Sequence, residues 1–123
     1  RQDHQRMEIG ARYGISNKKL VQVIGEMEKH IEPPLSTLAL AEKIKVTRRQ
    51  LERLFRLHLD ETPSSFYLAV RLDKARQLLA QTDMSITQVS LACGFELPSY
   101  FARRYKLRFG KCPREERRLV KQA

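Results

Sequence analysis

The chain has 123 residues, of which 41% are hydrophobic, and this size and composition fit one compact domain better than two. The 24 Lys and Arg residues outnumber the 14 Asp and Glu residues, so the formal net charge of +10 favours an anionic partner, with nucleic acid first. No apolar run approaches the roughly 18 residues of a membrane span, and the N-terminus lacks the layout of a secretory signal. We therefore expect a cytoplasmic protein with no membrane partner.

The cysteines and histidines show no metal-binding pattern. Cys93 and Cys112 lie far apart and outside any CxxC pair. His4, His30 and His58 have no ligand spacing either. We therefore expect no metal site, no disulfide framework and no cofactor.

Residues 1–16 have the composition of a linker or mobile tail, because charges, Gly10 and Gly14 separate the scattered apolar side chains. We assign this segment no fold. The chain starts with Arg1, which indicates a piece of a longer protein with a segment missing upstream. The folded domain is then predicted to span residues 17–123.

The first predicted helix begins after Asn17, a residue type that caps helices, and runs to about Glu32. Pro33 and Pro34 end it, because proline lacks an N–H and clashes with the preceding turn. The apolar residues recur at the three-and-four spacing of one buried helical face: Leu20, Val21, Ile24, Met27 and Ile31.

Residues 36–59 predict a first helix-turn-helix unit. Ser36 caps a short helix, and Thr47 caps the next one after a very short connection. Helices joined so tightly must cross steeply. The second helix has an apolar stripe and a basic outer face, formed by Arg48, Arg49, Gln50, Glu52, Arg53 and Arg56.

A long connecting helix is predicted for residues 63–81, since Pro63 suits the first turn of a helix. Residues 85–109 then predict a second unit of the same kind as the first. Asp83 or Ser85 caps its short helix, which ends around Gly94. A basic helix follows the turn.

A last helix is predicted for residues 114–121, which brings the total to about seven. No segment shows the period-two alternation of a half-buried strand. The predicted fold class is therefore all-α, with two helix-turn-helix subdomains joined by the long linker helix.

The second unit repeats the pattern of the first. Apolar matches alone could arise between any two amphipathic helix pairs, but the paired arginines and prolines lie outside the apolar stripes. Two copies of a unit that ends in a basic helix are what two major-groove reading heads require. The matched pairs are Leu40 with Val89, Ile44 with Cys93, Val46 with Phe95, Leu51 with Phe101, Arg53 with Arg103, Phe55 with Tyr105, Leu59 with Phe109 and Pro63 with Pro113.

The outer faces of the two basic helices predict contacts with base edges and phosphates. Arginine grips guanine with two hydrogen bonds, glutamine suits adenine and glutamate accepts from cytosine. The residues that meet these requirements are Arg49, Gln50, Glu52, Arg53 and Arg103. For phosphates, a point charge or a helix N-terminus suffices, and the expected contacts are Lys45, Thr47, Arg56, Leu97, Arg104 and Lys106.

Two alternatives without any role in DNA binding stay open for these residues. An exposed arginine on a helix is commonly just solvated surface, and for Glu52 an ion pair with Arg48, Arg49 or Arg56 is favoured over a base contact. The alternative function is a basic, sequence-tolerant nucleic-acid-binding module. Single-stranded RNA is a weaker candidate, because the aromatic residues fall on apolar helix faces and are predicted core: Phe55, Phe66, Phe95, Phe101, Tyr105 and Phe109.

Five runs of the sequence carry a family resemblance: residues 46–55, 71–79, 86–95, 99–106 and 109–113. Through them, the stretch from Leu35 to about Leu119 is similar to the DNA-binding domain of AraC/XylS-type transcription regulators. The resemblance implies that both recognition helices enter adjacent major-groove segments. It assigns the first reading head to Arg49, Gln50, Glu52 and Arg53, and the second to Pro98, Ser99, Tyr100 and Arg103.

One departure from the family pattern is Leu97, where members often have a Ser or Asp cap. The entry to the second recognition helix should therefore lack a side-chain cap. Regulators of this type can also be fused to an alkyl-acceptor cysteine, but Cys93 is predicted to face inward and Cys112 has no nearby histidine. We accordingly expect no enzyme.

The resemblance also implies partners and regulation. We expect a bacterial regulator, an activator by family analogy, that binds double-stranded promoter DNA at two boxes roughly 34 Å apart. RNA polymerase would be a partner in the full context. An effector-sensing or dimerisation domain would precede residue 1, and the first helix with its Glu-Pro-Pro-Leu run resembles the branch with an amidotransferase-like upstream domain.

Overall fold

The computed structural model describes residues 2–122, with side chains from His4 to Lys121. Over this range the chain is helical with no strand, which confirms the all-α prediction. The described part has eight helices, where about seven were predicted. They are α1 Gln2–Tyr13, α2 Lys18–Lys29, α3 Thr37–Lys43, α4 Arg48–Leu59, α5 Pro63–Gln81, α6 Ile86–Ala92, α7 Pro98–Phe109 and α8 Pro113–Gln122.

The additional helix is α1, so the expectation that residues 1–16 have no fold is wrong. Ile9 is fully buried and lies next to Gly25 of α2. At the end of the helix, the Ile15 N–H donates to the Gly10 carbonyl at 2.9 Å, so close that a Cβ on Gly10 would lie 2.8 Å from the Ile15 oxygen. Ile9 is the one fully buried apolar side chain among the described residues of α1, so this helix has no periodic apolar stripe of the kind on which the prediction depended.

The chain divides into two compact units. Unit 1 contains the residues up to His30 together with Pro34–Leu68, and unit 2 contains Ile31–Pro33 together with the residues from Ala69 onward. Helix α5 is continuous and contributes residues to both. Each unit contains one short helix followed by a tight turn and a twelve-residue basic helix: α3 and α4 in unit 1, α6 and α7 in unit 2.

The core of unit 1 forms between α2, α3, α4 and the start of α5. Phe55 and Phe66 meet edge to face with ring centroids 5.6 Å apart, and Tyr13 of α1 contacts Phe66 at 5.1 Å. The Tyr67 hydroxyl donates to the His30 carbonyl, where α2 ends, and accepts from the Leu35 N–H. The fully or nearly fully buried apolar side chains include Leu20, Val23, Ile24, Met27, Leu40, Ala41, Ile44 and Leu51.

The core of unit 2 surrounds a buried ionic group. Glu116 of α8 is 3% exposed, and its Oε1 accepts from the Tyr105 hydroxyl at 3.0 Å. The Arg76 Nε lies 2.7 Å from the same oxygen, and the Lys111 Nζ lies 3.8 Å from the other. Burial, and then the hydrogen bond to Glu116, raise the pKa of the Tyr105 phenol. These partners compensate the carboxylate for its lost hydration and join α5, α7 and α8.

Helix α8 also holds the end of α5. The Arg117 guanidinium donates to the carbonyl of Leu79 in the last turn of α5 and to those of Thr82 and Met84 in the segment that follows it. A charged donor is well suited to that negative helix end. The C-terminal helix is thus attached to the linker helix through the Arg117 hydrogen bond to Leu79 and the ion pair between Arg76 and Glu116.

Candidate nucleic-acid interface

The turn of the first unit is fixed from both ends. Val46 donates its N–H to the Ala41 carbonyl at 3.0 Å, and the Lys19 Nζ of α2 caps the Ile44 carbonyl at 2.8 Å. Lys45 has a left-handed backbone with φ 60°, and its side chain is exposed. The turn therefore presents a lysine beside the start of α4.

The start of α4 has a complete capping box. The Thr47 hydroxyl accepts from the Gln50 N–H at 3.0 Å, and the Gln50 Oε1 accepts from the Thr47 N–H at 2.8 Å. Both residues are exposed. Because the cap uses the Gln50 carbonyl oxygen, an adenine contact through both amide atoms would share that oxygen with the Thr47 N–H.

Arg53 lies opposite the core of unit 1. It is two residues from Leu51 and two from Phe55, both fully buried, so it is roughly half a turn away from each. Arg49 is one turn before it and also exposed. Glu52 is exposed as well and forms no ion pair with any residue that the structure describes, which removes support for the intrahelical pairing. Arg56 pairs with Asp60 at 3.3 Å instead.

The turn of the second unit is held by Arg71 of α5. Its guanidinium donates to the carbonyls of Cys93 at 2.9 Å and Gly94 at 2.8 Å, and lies 4.2 Å from the centre of the Phe95 ring. Gly94 has a left-handed backbone with φ 80° and occupies the place that Lys45 has in unit 1. Arg71 lies in the run 71–79 that carries the family resemblance, but this role was not predicted, because it depends on a contact between helices that the sequence does not display.

Helix α7 repeats the outward arginine. Arg103 lies between the buried Phe101 and Tyr105, so it is opposite the core of unit 2 as Arg53 is in unit 1. Its guanidinium lies 5.4 Å from the centre of the Tyr100 ring, within the range of a cation–π contact. Pro98 and Ser99 are exposed in the first turn. Pro98, Ser99, Tyr100 and Arg103 are thus all exposed within the first two turns of α7.

The start of α7 has no side-chain cap, as the departure at Leu97 predicts. Leu97 is 65% exposed and has the extended backbone of an N-cap residue. Farther along the helix, Lys106 is exposed, whereas Arg104 is partly buried and its Nε has no hydrogen-bond partner within the described residues. Such a buried donor is costly unless an acceptor reaches it.

The two cysteines differ in environment. Cys93 is fully buried, and burial raises the pKa of its thiol from about 9 to about 11. Cys112 is partly exposed. A raised pKa opposes thiolate formation, so Cys93 is a poor nucleophile. Among the described residues, no cluster of three or more His, Cys, Asp or Glu side chains has an arrangement suited to a metal ion.

Five of the six aromatic residues predicted as core are inside their units, whereas the sixth, Phe109, is partly exposed. Phe55, Phe66, Phe95, Phe101 and Tyr105 are all at most 6% exposed, so their rings are not available for base stacking. None of the helices in the described range is both long and apolar enough to cross a membrane.

Two exposed residues on the outer faces of α4 and α7 are absent from the sequence prediction. Leu57 lies one turn after Arg53, and Leu107 lies one turn after Arg103. Apolar residues at these positions are easily taken for core. Counting from the buried aromatic residue two positions earlier would have placed them outside.

Comparisons with known proteins agree with this geometry. A family described as "Helix-turn-helix domain" matches residues 40–119. The regulator CdhR of Pseudomonas aeruginosa is 70% identical over 120 residues, covering 98% of this chain and 36% of its own length. The activator RhaS of Escherichia fergusonii is 32% identical over 83% of this chain and 37% of its own. The chain thus spans about a third of the length of these curated relatives.

A solved structure is also similar to this chain in both fold and sequence. An AraC-type transcriptional regulator from Chromobacterium violaceum, described as containing a DNA-binding domain, superposes with a TM-score of 0.81. It is 49% identical in sequence, and the match covers 83% of this chain and 91% of that one.

Proposed function

Since the chain belongs to the AraC-type helix-turn-helix family and is a DNA-binding domain of a transcription regulator, we propose that it reads two adjacent major-groove boxes of a promoter, one with each recognition helix. The observation that carries this proposal is the outward arginine that recurs in α4 and α7, each opposite the core of its own unit. A major groove is wide enough for one helix and offers guanine two acceptors for such an arginine.

The first box is read by polar side chains. Arg49 and Arg53 supply forked donors, and the exposed, unpaired Glu52 supplies an acceptor for cytosine. Gln50 contributes through the amide group that its cap leaves available. Four hydrogen-bonding side chains on two turns of one helix give this head a strong preference for particular bases.

The second box is read by a mixed surface. Arg103 is its principal donor, and the Tyr100 ring beside it limits the directions in which the guanidinium can point. Pro98 and Ser99 bring small side chains close to the base edges. We therefore assign this box a larger share of shape and apolar recognition than the first.

Phosphate contacts flank both heads. Lys45 and Arg56 surround the start and middle of α4, and Lys106 and the partly buried Arg104 lie along α7. At the start of α4, the N–H groups that the Thr47 capping box leaves unused add backbone donors, and at the start of α7 the uncapped first turn after Leu97 does the same. These contacts orient the protein on the duplex and carry no sequence information.

In the whole protein we propose activation of transcription, with RNA polymerase as a partner and an effector-sensing or dimerisation domain upstream. The support is the family itself and RhaS, whose name describes an activator. The relatives' greater length leaves room for such a domain.

The decisive experiment is selection of bound duplexes from a random pool, followed by competition with a scrambled site at fixed salt. Two conserved boxes in the selected pool, and at least about a thousandfold weaker binding to the scrambled duplex, are expected for specific recognition. Equal affinity for both duplexes would instead identify the sequence-tolerant nucleic-acid-binding module.

A further inference from the structure

Leu57 and Leu107 are unusually exposed for their residue type. Leu57 of α4 is 73% exposed and Leu107 of α7 is 69% exposed. They occupy the same position in the two copies of the repeat, with the same spacing that pairs Arg53 with Arg103. Two independent units thus leave the same large apolar side chain in water at the same point of the recognition helix.

Each leucine lies on the outer face of its own recognition helix, the face that also carries the arginine. Leu57 is two residues after the buried Phe55, which places it roughly half a turn from the core, and four residues after Arg53, which places it one turn farther along the same face. Leu107 has the same relation to Tyr105 and Arg103. The exposed leucines are therefore neighbours of the proposed base-reading residues.

A single exposed leucine needs no explanation, but a repeated one does. Within the described residues, no other exposed large apolar side chain is matched by an apolar one in the other unit. Their counterparts in the repeat, where they have one, are polar. These unmatched residues are Met7, Leu38, Leu91, Leu97, Tyr100, Leu119 and Val120.

We propose that Leu57 and Leu107 each contact the 5-methyl group of a thymine, one in each box. Thymine is the base that displays a methyl group in the major groove, and apolar side chains recognise it there. The basic surroundings, with Arg53 and Arg56 near one leucine and Arg103 and Lys106 near the other, favour DNA over a protein as the occupant. This inference rests on the proposed function.

The test combines a change in the protein with removal of a single methyl group from the DNA. Each thymine of the selected site is replaced in turn by deoxyuridine, and affinity is measured for the wild-type chain, Leu57→Ala and Leu107→Ala. At one thymine of the first box, deoxyuridine should weaken wild-type binding by about fourfold, the factor for burying one methyl-sized group. Leu57→Ala should show no further loss there and an undiminished loss at the second box.

Leu107→Ala should give the reverse pattern. Leu57→Met and Leu107→Met should keep the methyl preference, because a flexible apolar side chain remains. Met7→Ala and Leu119→Ala are the matched controls, since both remove an exposed apolar side chain away from α4 and α7. Circular dichroism verifies that each variant remains folded.

Sequence-specific binding in which the deoxyuridine losses are the same with and without the leucines would overturn the inference and leave the proposed function intact. Coupling for one leucine alone would overturn the shared role. Loss of self-association in the leucine variants, with the methyl effects unchanged, would assign the surface to a second copy of the chain. No preference for any duplex would overturn the proposed function and this inference with it.

Discussion

Two residues of unit 1 have backbone conformations that glycines have in unit 2. Lys45 has φ 60° where Gly94 has φ 80°. At the ends of the recognition helices, Asp60 has φ 54° and Gly110 has φ 81°. The left-handed region costs a residue with a Cβ about 1 to 2 kcal/mol, so the first copy retains these two side chains at some expense of stability.

Lys45→Gly should show how much the left-handed backbone of Lys45 lowers stability and, separately, what its side chain contributes to DNA binding. Relief of the left-handed conformation, less the greater entropy of glycine in the unfolded chain, should raise the free energy of unfolding by about 0.5 to 1 kcal/mol in urea titrations. If Lys45 contacts a phosphate, the same change should lower the salt slope of DNA binding by about one unit. Asp60→Gly is a control for stability alone: it relieves the other left-handed residue, but it also removes the ion pair with Arg56, so its salt slope is not compared. A destabilised Lys45→Gly chain would show that the turn needs the lysine.

Arg53→Ala and Arg103→Ala should each weaken binding to the selected duplex by about 1 to 3 kcal/mol. The reason is that a guanine contact through two hydrogen bonds is lost in one box while the other box is still read. Repeating the selection with each variant should show relaxed preference at that box alone. Equal losses on specific and random duplexes would move the arginine to the phosphate contacts.

At the scale of the helix, the two recognition helices begin differently. Helix α4 has a reciprocal capping box between Thr47 and Gln50, whereas α7 starts after Leu97 with no side-chain cap and depends on Pro98 to set its first turn. The start of α7 therefore leaves N–H groups that α4 satisfies within the protein. Each cap involves residues of one unit only, so a single substitution can add or remove it.

Leu97→Ser should supply the missing cap and raise the free energy of unfolding by about 1 kcal/mol, because the backbone of Leu97 is already extended as a cap requires. Thr47→Ala should lower it by a similar amount through loss of the existing box. Urea unfolding monitored by circular dichroism measures both. The control is Leu97→Ala, which removes the exposed side chain without adding an acceptor. Equal stability of Leu97→Ser and Leu97→Ala would show that the serine does not cap α7.

Capping residues and proline positions are also why much of the fold was predictable. Asn17, Ser36 and Thr47 each cap the helix predicted to start there, and of the two candidates Asp83 and Ser85 it is Ser85 that caps α6. The same local rules could not find α1, because a helix stabilised by Ile9 against another helix has no strong signal of its own. Long-range contacts decide such elements, and a single sequence does not display them.

The site was predictable only where residue type and helical position coincide. The outward positions of Arg53 and Arg103 follow from helical periodicity alone. The engagement of Gln50 in its cap and the grip of Arg71 on the second turn depend on side-chain conformation and on contacts between helices. These side-chain contacts can be identified only when the positions of the helices are known.

At the scale of the whole molecule, the net charge of +10 raises affinity for any duplex, so loss of a charge must be distinguished from loss of a contact. Lys106→Ala should weaken binding to all duplexes and lower the salt slope by about one unit, because one phosphate contact no longer releases a counterion. Lys74→Ala removes the same charge from an exposed position on α5, outside both heads. Equal slopes for the two variants would mean that Lys106 acts only through the total charge.

Because the two cysteines of unit 2 differ in accessibility, their rates of covalent labelling can be compared within one molecule. An alkylating reagent near neutral pH should modify the accessible Cys112 first, whereas the buried, protonated Cys93 should react only when unit 2 opens. The slow phase therefore reports the opening equilibrium of the unit that carries α7. A ligand that binds the closed form lowers the population of the open form. Bound DNA should therefore slow the labelling of Cys93, and the labelling rate should report the fraction of the protein that is bound to DNA.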